Sequence, residues 1–185
     1  KGKTVVPEEK KVYLAFNKPR GIVCTAEKRE KNNVIDYLSY PVRIYPVGRL
    51  DKDSEGLLLM TNDGAIVNGI MRARNRHEKE YQVEVNKEIT PEFLKKMASG
   101  VPILDTVTRP CRIQKTGERS FTIILTQGLN RQIRRMCEAL GYRVTKLKRV
   151  RIMNIHLKDL KTGEYRPLTE KELAELKKQL GEEKR

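Results

Sequence analysis

Asp51 is the carboxylate that the sequence places best for chemistry. It lies between Arg49 and Lys52 in a polar, glycine-bounded loop that precedes an apolar run at 57–61. Cations on both sides favour the ionised carboxylate that a nucleophile or a general base requires. Aspartate is also common in ordinary surface turns. The spacing alone therefore leaves a catalytic and a structural interpretation open.

Three arginines, Arg131, Arg134 and Arg135, lie in the first two turns of a segment predicted to be helical. Positive charge is unfavourable at the amino end of a helix, because the backbone dipoles already concentrate positive charge there. A nearby anion, either a buried carboxylate or an RNA phosphate, would stabilise the three side chains. A solvated basic face is the alternative interpretation. The apolar residues of the segment predict a buried side: Ile133, Met136, Cys137 and Leu140.

Tyr81 and Leu147 are the apolar residues that we consider for a binding site. Tyr81 alternates with Val83 and Val85 in a strand-like run, so its ring is expected to be half-buried in the core. The same ring could instead form a surface on which an RNA base stacks. Leu147 is a leucine flanked by charged residues and has an equally simple core interpretation.

The charge of the chain indicates the kind of partner. Its 39 Lys and Arg residues outnumber 24 Asp and Glu residues, which gives a net charge of +15 and a pI near 9.8. Such an excess favours a polyanion, because phosphate contacts release condensed counterions. No run approaches the roughly 20 apolar residues of a membrane span, and no basic amphipathic helix is apparent. We therefore expect a nucleic acid partner and no membrane.

The cysteine and histidine content predicts neither a metal site nor disulfides. Three widely spaced cysteines, with no C-x-x-C pair and only two histidines, do not match a zinc site or a disulfide framework. Reduced thiols are typical of a cytoplasmic protein. The glycine-rich phosphate-binding motifs of nucleotide cofactor folds are also missing. No cofactor is expected.

The hydropathy pattern predicts an α+β fold, with flanking helices on a mainly antiparallel central sheet. The expected strands are 12–16, 22–25, 57–61, 80–85, 110–114, 120–126 and 149–156. The expected helices are 34–38, 65–72, one from Thr90 to Gly100, one of about ten residues that ends at Gly141, and a last one after Thr169. Thr169 and Glu172 have the spacing of a capping box, and Leu173, Leu176 and Leu180 form the core stripe of that last helix.

Five segments resemble, in order, the motifs of the RsuA-like branch of the RNA pseudouridine synthases. The segment GRLDKDSEGLL at 48–58 resembles the catalytic motif of that branch. The other four are NKPRG at 17–21, KEY at 79–81, GLNRQIRRM at 128–136 and LKRVRI at 147–152. Together the matches extend over residues 12–170, and chance does not explain five ordered motifs. The resemblance implies a fold with two lobes around an active-site cleft.

The resemblance also implies roles for individual residues. Asp51 would be the catalytic aspartate, which either attacks C1′ of the target uridine or removes a proton from C2′. Arg134 would pair with Asp51, Tyr81 would stack on the target base, and Leu147 would close the apolar side of the pocket. Arg49 would enter the space left by the flipped nucleotide. Contact with RNA or support of the loop is expected of the remaining basic residues: Lys18, Arg20, Arg131 and Arg135.

Within the branch the resemblance is to enzymes of large-subunit ribosomal RNA, so 23S rRNA is the expected substrate, with tRNA as a second candidate. Such enzymes usually begin with a small S4-type RNA-binding domain. Residues 1–10 are therefore expected to be a linker from that domain, 11–180 the catalytic domain, and 181–185 a charged tail. We expect a monomer. A non-catalytic RNA-binding or ribosome-assembly module is the main alternative, and no helix-turn-helix spacing supports a DNA-binding domain.

Overall fold

The computed structural model describes residues 10–183 of the chain, with side chains as far as Gly181. The strands are β1 Tyr13–Lys18, β2 Tyr45–Pro46, β3 Glu55–Thr61, β4 Lys79–Val85, β5 Pro102–Ile103, β6 Thr106–Val107, β7 Arg112–Gly117, β8 Ser120–Leu125, β9 Val144–Ile152, β10 Ile155–His156 and β11 Tyr165–Pro167. The helices are α1 Val34–Leu38, α2 Gly64–Arg72, α3 Pro91–Ser99, α4 Gln132–Ala139 and α5 Glu170–Glu183.

One mixed sheet organises the described part of the chain. Its strands follow the order β11-β1-β3-β9-β4-β8-β7, with β2 added beside β3 and β10 beside β9. The pairings are antiparallel except for the short parallel contact of β3 with β9. A separate hairpin consists of β5 and β6. The predicted α+β architecture with a mainly antiparallel sheet is therefore confirmed.

The hydrophobic core divides between the two halves of this sheet. One cluster packs α3 and α4 against β4, β8 and the start of β9. The other half, built on β1 and β3, has a cluster on each face: α2 and α5 cover one, and α1 with its flanking loop covers the other. Strand β3 is buried on both sides, as its uninterrupted run of leucines predicts. Each half is thus anchored by its own helices.

Gly56 allows the two halves to meet closely. Parallel pairing aligns Gly56 with Arg149, and the φ of Gly56 is +110°. A Cβ atom at this position would lie 2.2 Å from the carbonyl oxygen of Arg149, so only glycine fits. The contact places β9, which carries Leu147, directly beside the carboxyl-terminal end of the loop that carries Asp51.

Helix ends agree with the predicted caps. The carboxylate of Asp63 accepts from the backbone N–H groups of Ala65 and Ile66, and Thr90 caps α3 in the same way. Thr169 and Glu172 form the capping box at α5, with each side chain accepting from the backbone N–H of the other residue. Leu176 and Leu180 are buried as expected, whereas Leu173 is only partly so.

The structure corrects two predicted strands and the end of the last helix, and it adds a hairpin. Residues 22–25 are not a strand, because only Val23 forms an isolated bridge, to Asn33. Strand β9 begins at Val144, five residues before the predicted start, because its charged residues 146 and 148 face away from the core. The β5–β6 hairpin was not predicted, since its two-residue strands are too short to show alternation. Helix α5 continues to Glu183, into the predicted tail, whereas 184–185 and nearly all of the predicted linker 1–10 lie outside the described residues.

Candidate active site

Asp51 lies in the loop between β2 and β3, beside a buried anchor. Its neighbour Leu50 is 6% exposed and packs in the core cluster under β1 and β3. The carbonyl oxygen of Asp51 accepts a hydrogen bond from the backbone N–H of Ser54 at 3.0 Å, which closes a tight turn. The side chain of Asp51 remains 36% exposed. A rigid loop therefore presents a carboxylate that a ligand can reach.

Arg131 is the cation that contacts Asp51. Its Nη1 atom lies 3.3 Å from Oδ2 of Asp51, and the same guanidinium binds both carboxylate oxygens of Asp53, at 3.1 and 2.9 Å. The hydrogen bonds from Arg131 lower the pKa of Asp53 and raise that of Arg131. Arg131 reaches the loop because it is the N-cap residue of α4 and has left-handed backbone angles, with φ at 48°. The guanidinium of Arg131 thus links the start of α4 to both carboxylates of the loop.

Arg134 does not form the predicted ion pair with Asp51. Its Nη2 atom donates to the carbonyl oxygen of Asp53 at 3.0 Å and to Oγ of Ser54 at 3.1 Å, while Nη1 lies 3.6 Å from Oδ2 of Asp53. Arg134 starts one helical turn deeper than Arg131 and is 8% exposed, so it passes beneath the loop instead of reaching its outer side. Burial lowers the pKa of Arg134. The predicted pairing is corrected to support of the loop backbone.

Lys18 and Arg20 hold the same loop from the side of β1. The ammonium of Lys18 is 0% exposed and donates to the carbonyl oxygens of Pro19, Ile22 and Lys52, at 2.9, 2.7 and 3.5 Å. Burial lowers the pKa of Lys18. Arg20 donates to the carbonyl oxygen of Asp53 at 3.2 Å. Of the two roles predicted for Lys18, its burial leaves loop support and excludes contact with RNA.

A cavity of about 700 Å³ opens beside Asp51 and is bounded by both halves of the sheet. Its lining includes Arg49, Asp51, Tyr81, Arg131 and Leu147. Tyr81 is half-buried against the core cluster of β4, and Leu147 is 7% exposed. The volume is within the range of small-molecule sites and accommodates a nucleotide. An acidic group, an aromatic ring and an apolar wall therefore meet in one cleft.

Four predicted site residues lie outside this lining. They are Lys18, Arg20, Arg134 and Arg135. The first three support the Asp51 loop, as described above. Arg135 donates to the carbonyl oxygen of Asn130 at 3.0 Å and to its side-chain oxygen at 2.9 Å. Arg135 therefore stabilises the turn that precedes α4, at a distance from the carboxylates.

Sequence comparison assigns this arrangement to a known family. A family model described as RNA pseudouridylate synthase matches residues 12–139, which include Asp51, Tyr81 and Arg134. The chain belongs to the RNA pseudouridine synthase family. This membership confirms the family predicted from the five motifs.

Individual pseudouridine synthases resemble the chain over most of its length. It is 54% identical over 177 residues to the dual-specificity RNA pseudouridine synthase RluF of Salmonella typhi. The aligned residues make up 95% of this chain and 61% of RluF. It is 36% identical to ribosomal large subunit pseudouridine synthase B of Bacillus subtilis, over 93% of the chain and 74% of that protein. A solved pseudouridylate synthase superposes with a TM-score of 0.84 at 29% identity, over 93% and 76% of the two chains. The chain thus spans about three fifths of the length of RluF.

Two features of this pseudouridine synthase site were not predicted. Asp53 forms ion pairs with Arg131 and Arg134. Its position two residues after Asp51, in the same loop, could have indicated that it faces the same arginines. Lys79 lines the cavity with Tyr81, and the period of two along β4 would have placed both on one face. Of these two residues, only Tyr81 was predicted to belong to the site.

Two further observations concern metals and membranes. Among the described side chains, no group of three or more His, Cys, Asp or Glu is close enough together to hold a metal ion. Between residues 10 and 183, no helix combines the length and the apolar character that crossing a bilayer requires.

Proposed function

We propose that the chain isomerises uridine to pseudouridine in RNA, with Asp51 as the catalytic carboxylate. The observation that carries the proposal is the accessible carboxylate of Asp51 in a nucleotide-sized cavity that Tyr81 and Leu147 also line. Membership of the RNA pseudouridine synthase family supports the same reaction. No external group is transferred in it, so the site needs only to hold and rotate the base.

The reaction breaks the N1–C1′ bond and forms a C5–C1′ bond within one nucleotide. Asp51 either attacks C1′ and displaces N1, after which C5 displaces the Asp51 carboxylate from C1′, or it removes the C2′ proton as N1 leaves to give a glycal, to which C5 adds at C1′ while C2′ regains its proton. In both routes C5 finally loses its proton and N1 gains one, so the product is an isomer of the substrate. Arg131, at 3.3 Å, fixes the direction of the Asp51 carboxylate, and Arg134 fixes the loop beneath it.

The walls of the cavity suit an extruded uracil. Tyr81 offers a ring for stacking, Leu147 an apolar contact, and Arg49 an exposed cation at the mouth that fills the space left in the RNA. Extruding a base costs a few kcal/mol of unstacking. Stacking on Tyr81 would offset much of this cost, since base–aromatic stacking contributes about 1–3 kcal/mol.

We propose large-subunit ribosomal RNA as the main substrate and tRNA as a second one, acted on by a monomer in the cytoplasm. The similarity to large subunit synthase B supports the first substrate, and the dual specificity of RluF supports a second class of RNA. The net charge of +15 suits either.

The test is a comparison of Asp51→Asn with the unaltered protein on unmodified 23S rRNA and tRNA transcripts. Pseudouridines are mapped by carbodiimide-dependent stops of reverse transcription. We expect the unaltered protein to give discrete new stops, and Asp51→Asn to reduce turnover by at least about 10³-fold while RNA binding persists. The matched control is Asp105→Asn in the exposed β5–β6 turn, which should retain full turnover. Appreciable turnover by Asp51→Asn would refute the assignment of Asp51 as the catalytic carboxylate. If the unaltered protein produced no new stops on either RNA, a non-catalytic RNA-binding module would be favoured.

A further inference from the structure

A cluster of cations lies on the rim of the cavity opposite the Asp51 loop. Arg74 and Lys79 line the cavity, and Arg109, outside the lining, is close enough to repel the ammonium of Lys79. Lys79 donates to the carbonyl oxygens of Arg74 and Thr126, and the latter distance is 3.3 Å. Arg109 donates to the carbonyl oxygen of Asn75 at 2.6 Å, and Arg74 to that of Met71 at 3.3 Å. Backbone carbonyls thus orient all three side chains without neutralising them.

Within the part of the chain that the structure describes, no carboxylate compensates this cluster. Among the described residues, none forms an ion pair with Arg74, Lys79 or Arg109. Glu78 is the adjacent acidic residue, and its two oxygens are already bound by Arg112 at 2.7 Å and by Arg151 at 3.0 Å. Three oriented cations without a counter-charge are typical of an anion-binding site.

Electrostatics within the cluster supports this interpretation. Burial, together with repulsion by Arg149, Arg109 and Arg74, lowers the pKa of Lys79 to about 8. Like charges held together at a partly buried position are costly unless an anion binds among them. A bound anion would therefore stabilise the ammonium form of Lys79.

The position of the cluster identifies the anion. Lys79 and Tyr81 are two residues apart on β4 and line one cavity, so their Cα atoms are separated by about 6.6 Å along the strand. A nucleotide whose base stacks on Tyr81 would therefore place its own backbone near Lys79. In addition, Lys79 Nζ lies 3.7 Å from where a Cβ atom of Gly128 would be, so the ammonium borders the facing loop at ordinary van der Waals distance.

We propose that Arg74, Lys79 and Arg109 together bind one backbone phosphate of the RNA, next to the nucleotide that occupies the cavity. The proposal rests on the proposed function for the identity of that nucleotide, although the phosphate site itself does not require turnover. The three side chains act on binding and register, because phosphate contacts fix the position of the RNA and carry no sequence information.

The experiment measures the salt dependence of RNA binding in the Asp51→Asn background, where the RNA is not converted. The probe is a fluorescein-labelled decauridylate, and the test variant is the triple substitution Arg74→Gln, Lys79→Met and Arg109→Gln. The matched control removes three exposed charges elsewhere: Lys95→Met, Arg119→Gln and Lys171→Met. The double variant Arg74→Gln, Arg109→Gln serves if Lys79→Met disturbs folding, which thermal unfolding will reveal.

We expect the triple variant to bind about tenfold more weakly at low salt and to lower the slope of log K against log[salt] by about 0.7, the value for one phosphate on a single strand. The control triple should leave the slope unchanged. An unchanged slope in the test variant, or an equal drop in the control, would overturn the proposal. A drop near 2.1 would indicate three separate phosphates and would overturn the shared site.

A second probe distinguishes phosphate from base contacts. With a decauridylate whose linkages are uncharged methylphosphonates, the triple variant and its parent should bind equally, and a loss there would also overturn the proposal. Turnover is assayed separately with Asp51 intact, where the triple substitution should raise KM and leave kcat nearly unchanged. If the unaltered protein has no turnover while the slope still falls by 0.7, the catalytic proposal fails and the phosphate site stands.

Discussion

The cations around the cavity form two groups that differ in what they bind. The loop group consists of Lys18, Arg20, Arg131 and Arg134. All four donate to loop residues, and Arg131 and Arg134 also face its carboxylates. The rim group consists of Arg74, Lys79 and Arg109, which bind only carbonyls of their own surroundings. One group is bound to residues of the loop, whereas the other, among the described residues, has no carboxylate partner.

This difference indicates that the loop group positions Asp51, whereas the rim group recognises the RNA. A buried charge costs free energy unless it has hydrogen-bond partners, and the two buried members of the loop group, Lys18 and Arg134, donate to backbone carbonyls near Asp51. Such bonds are lost only if the loop moves, so the loop group fixes the carboxylate. The rim group has charge without a partner, which is useful only if the partner arrives with the substrate. Substitutions in the two groups should therefore differ in kind, with stability and kcat affected in the first and RNA affinity in the second.

The largest effect in the loop group is expected from Lys18→Met. The substitution leaves the part-buried carbonyl oxygens of Pro19 and Ile22 without the donor from the buried Lys18, whereas the carbonyl oxygen of Lys52 keeps its bond from the backbone N–H of Gly21. We expect the free energy of unfolding to fall by about 3–4 kcal/mol, since each unsatisfied buried acceptor costs about 1–3 kcal/mol and some will find water. Urea unfolding measures the change, and Lys95→Met, at an exposed position of α3, should shift it by less than about 0.5 kcal/mol. Similar values for the two variants would mean that Lys18 does not support the loop.

The loop and the rim also differ in how far the sequence predicted them. Periodicity gave most strands and helices, and the motifs placed Arg49, Asp51, Tyr81 and Leu147 in what proved to be one cavity. The partner of Asp51 was predicted wrongly. Whether Arg131 or Arg134 reaches the carboxylate depends on the left-handed backbone of Arg131 and on the depth of Arg134 under the loop. Both are consequences of tertiary packing that residue spacing does not determine.

Burial of charge was equally hidden in the sequence. A lysine is rarely buried completely, so Lys18 was expected to contact RNA or to support the loop, without a choice between them. The rim cluster combines residues from three separate segments, and only Lys79 belongs to a recognised motif. Its missing counter-charge became apparent only when the partners of Glu78 were known.

A smaller effect is expected from Arg134→Lys, and a still smaller one from Arg131→Lys. Lysine cannot reproduce the guanidinium of Arg134, which donates to the backbone of Asp53 and to Ser54 from a buried position. We expect turnover to fall by about 100-fold, or about 2.7 kcal/mol. Arg131 is 38% exposed, and exposed ion pairs contribute little, so Arg131→Lys should lower turnover by about three- to tenfold. Single-turnover kinetics on the unmodified RNA substrate measures both.

The order of these two variants tests the geometry. If Arg131→Lys were the more damaging, direct contact with Asp51 would matter more than support of the loop from below. If neither variant changed turnover, α4 would have no part in positioning the carboxylate.

The smallest effect, and one confined to stability, is expected at an ion pair in the half of the sheet that carries α5. Glu172 accepts from Arg166 at 2.8 and 3.0 Å, and these bonds lower the pKa of Glu172 from 4.5 to about 2. Because the pKa is lower in the folded chain, this contribution is present above pH 4.5 and disappears as the pH falls towards 2.

Glu172→Gln should therefore reduce the free energy of unfolding at pH 7 by about 1–2 kcal/mol, the range of a charge-assisted cap. The difference from the unaltered protein should shrink in urea titrations at pH 3, and Glu170→Gln, at the exposed first residue of α5, is the control. Turnover at pH 7 should be unchanged, because neither Arg166 nor Glu172 lines the cavity. A loss of turnover in Glu172→Gln would mean that satisfied ion pairs outside the loop also control Asp51, and the distinction between the two groups of cations would lose its basis.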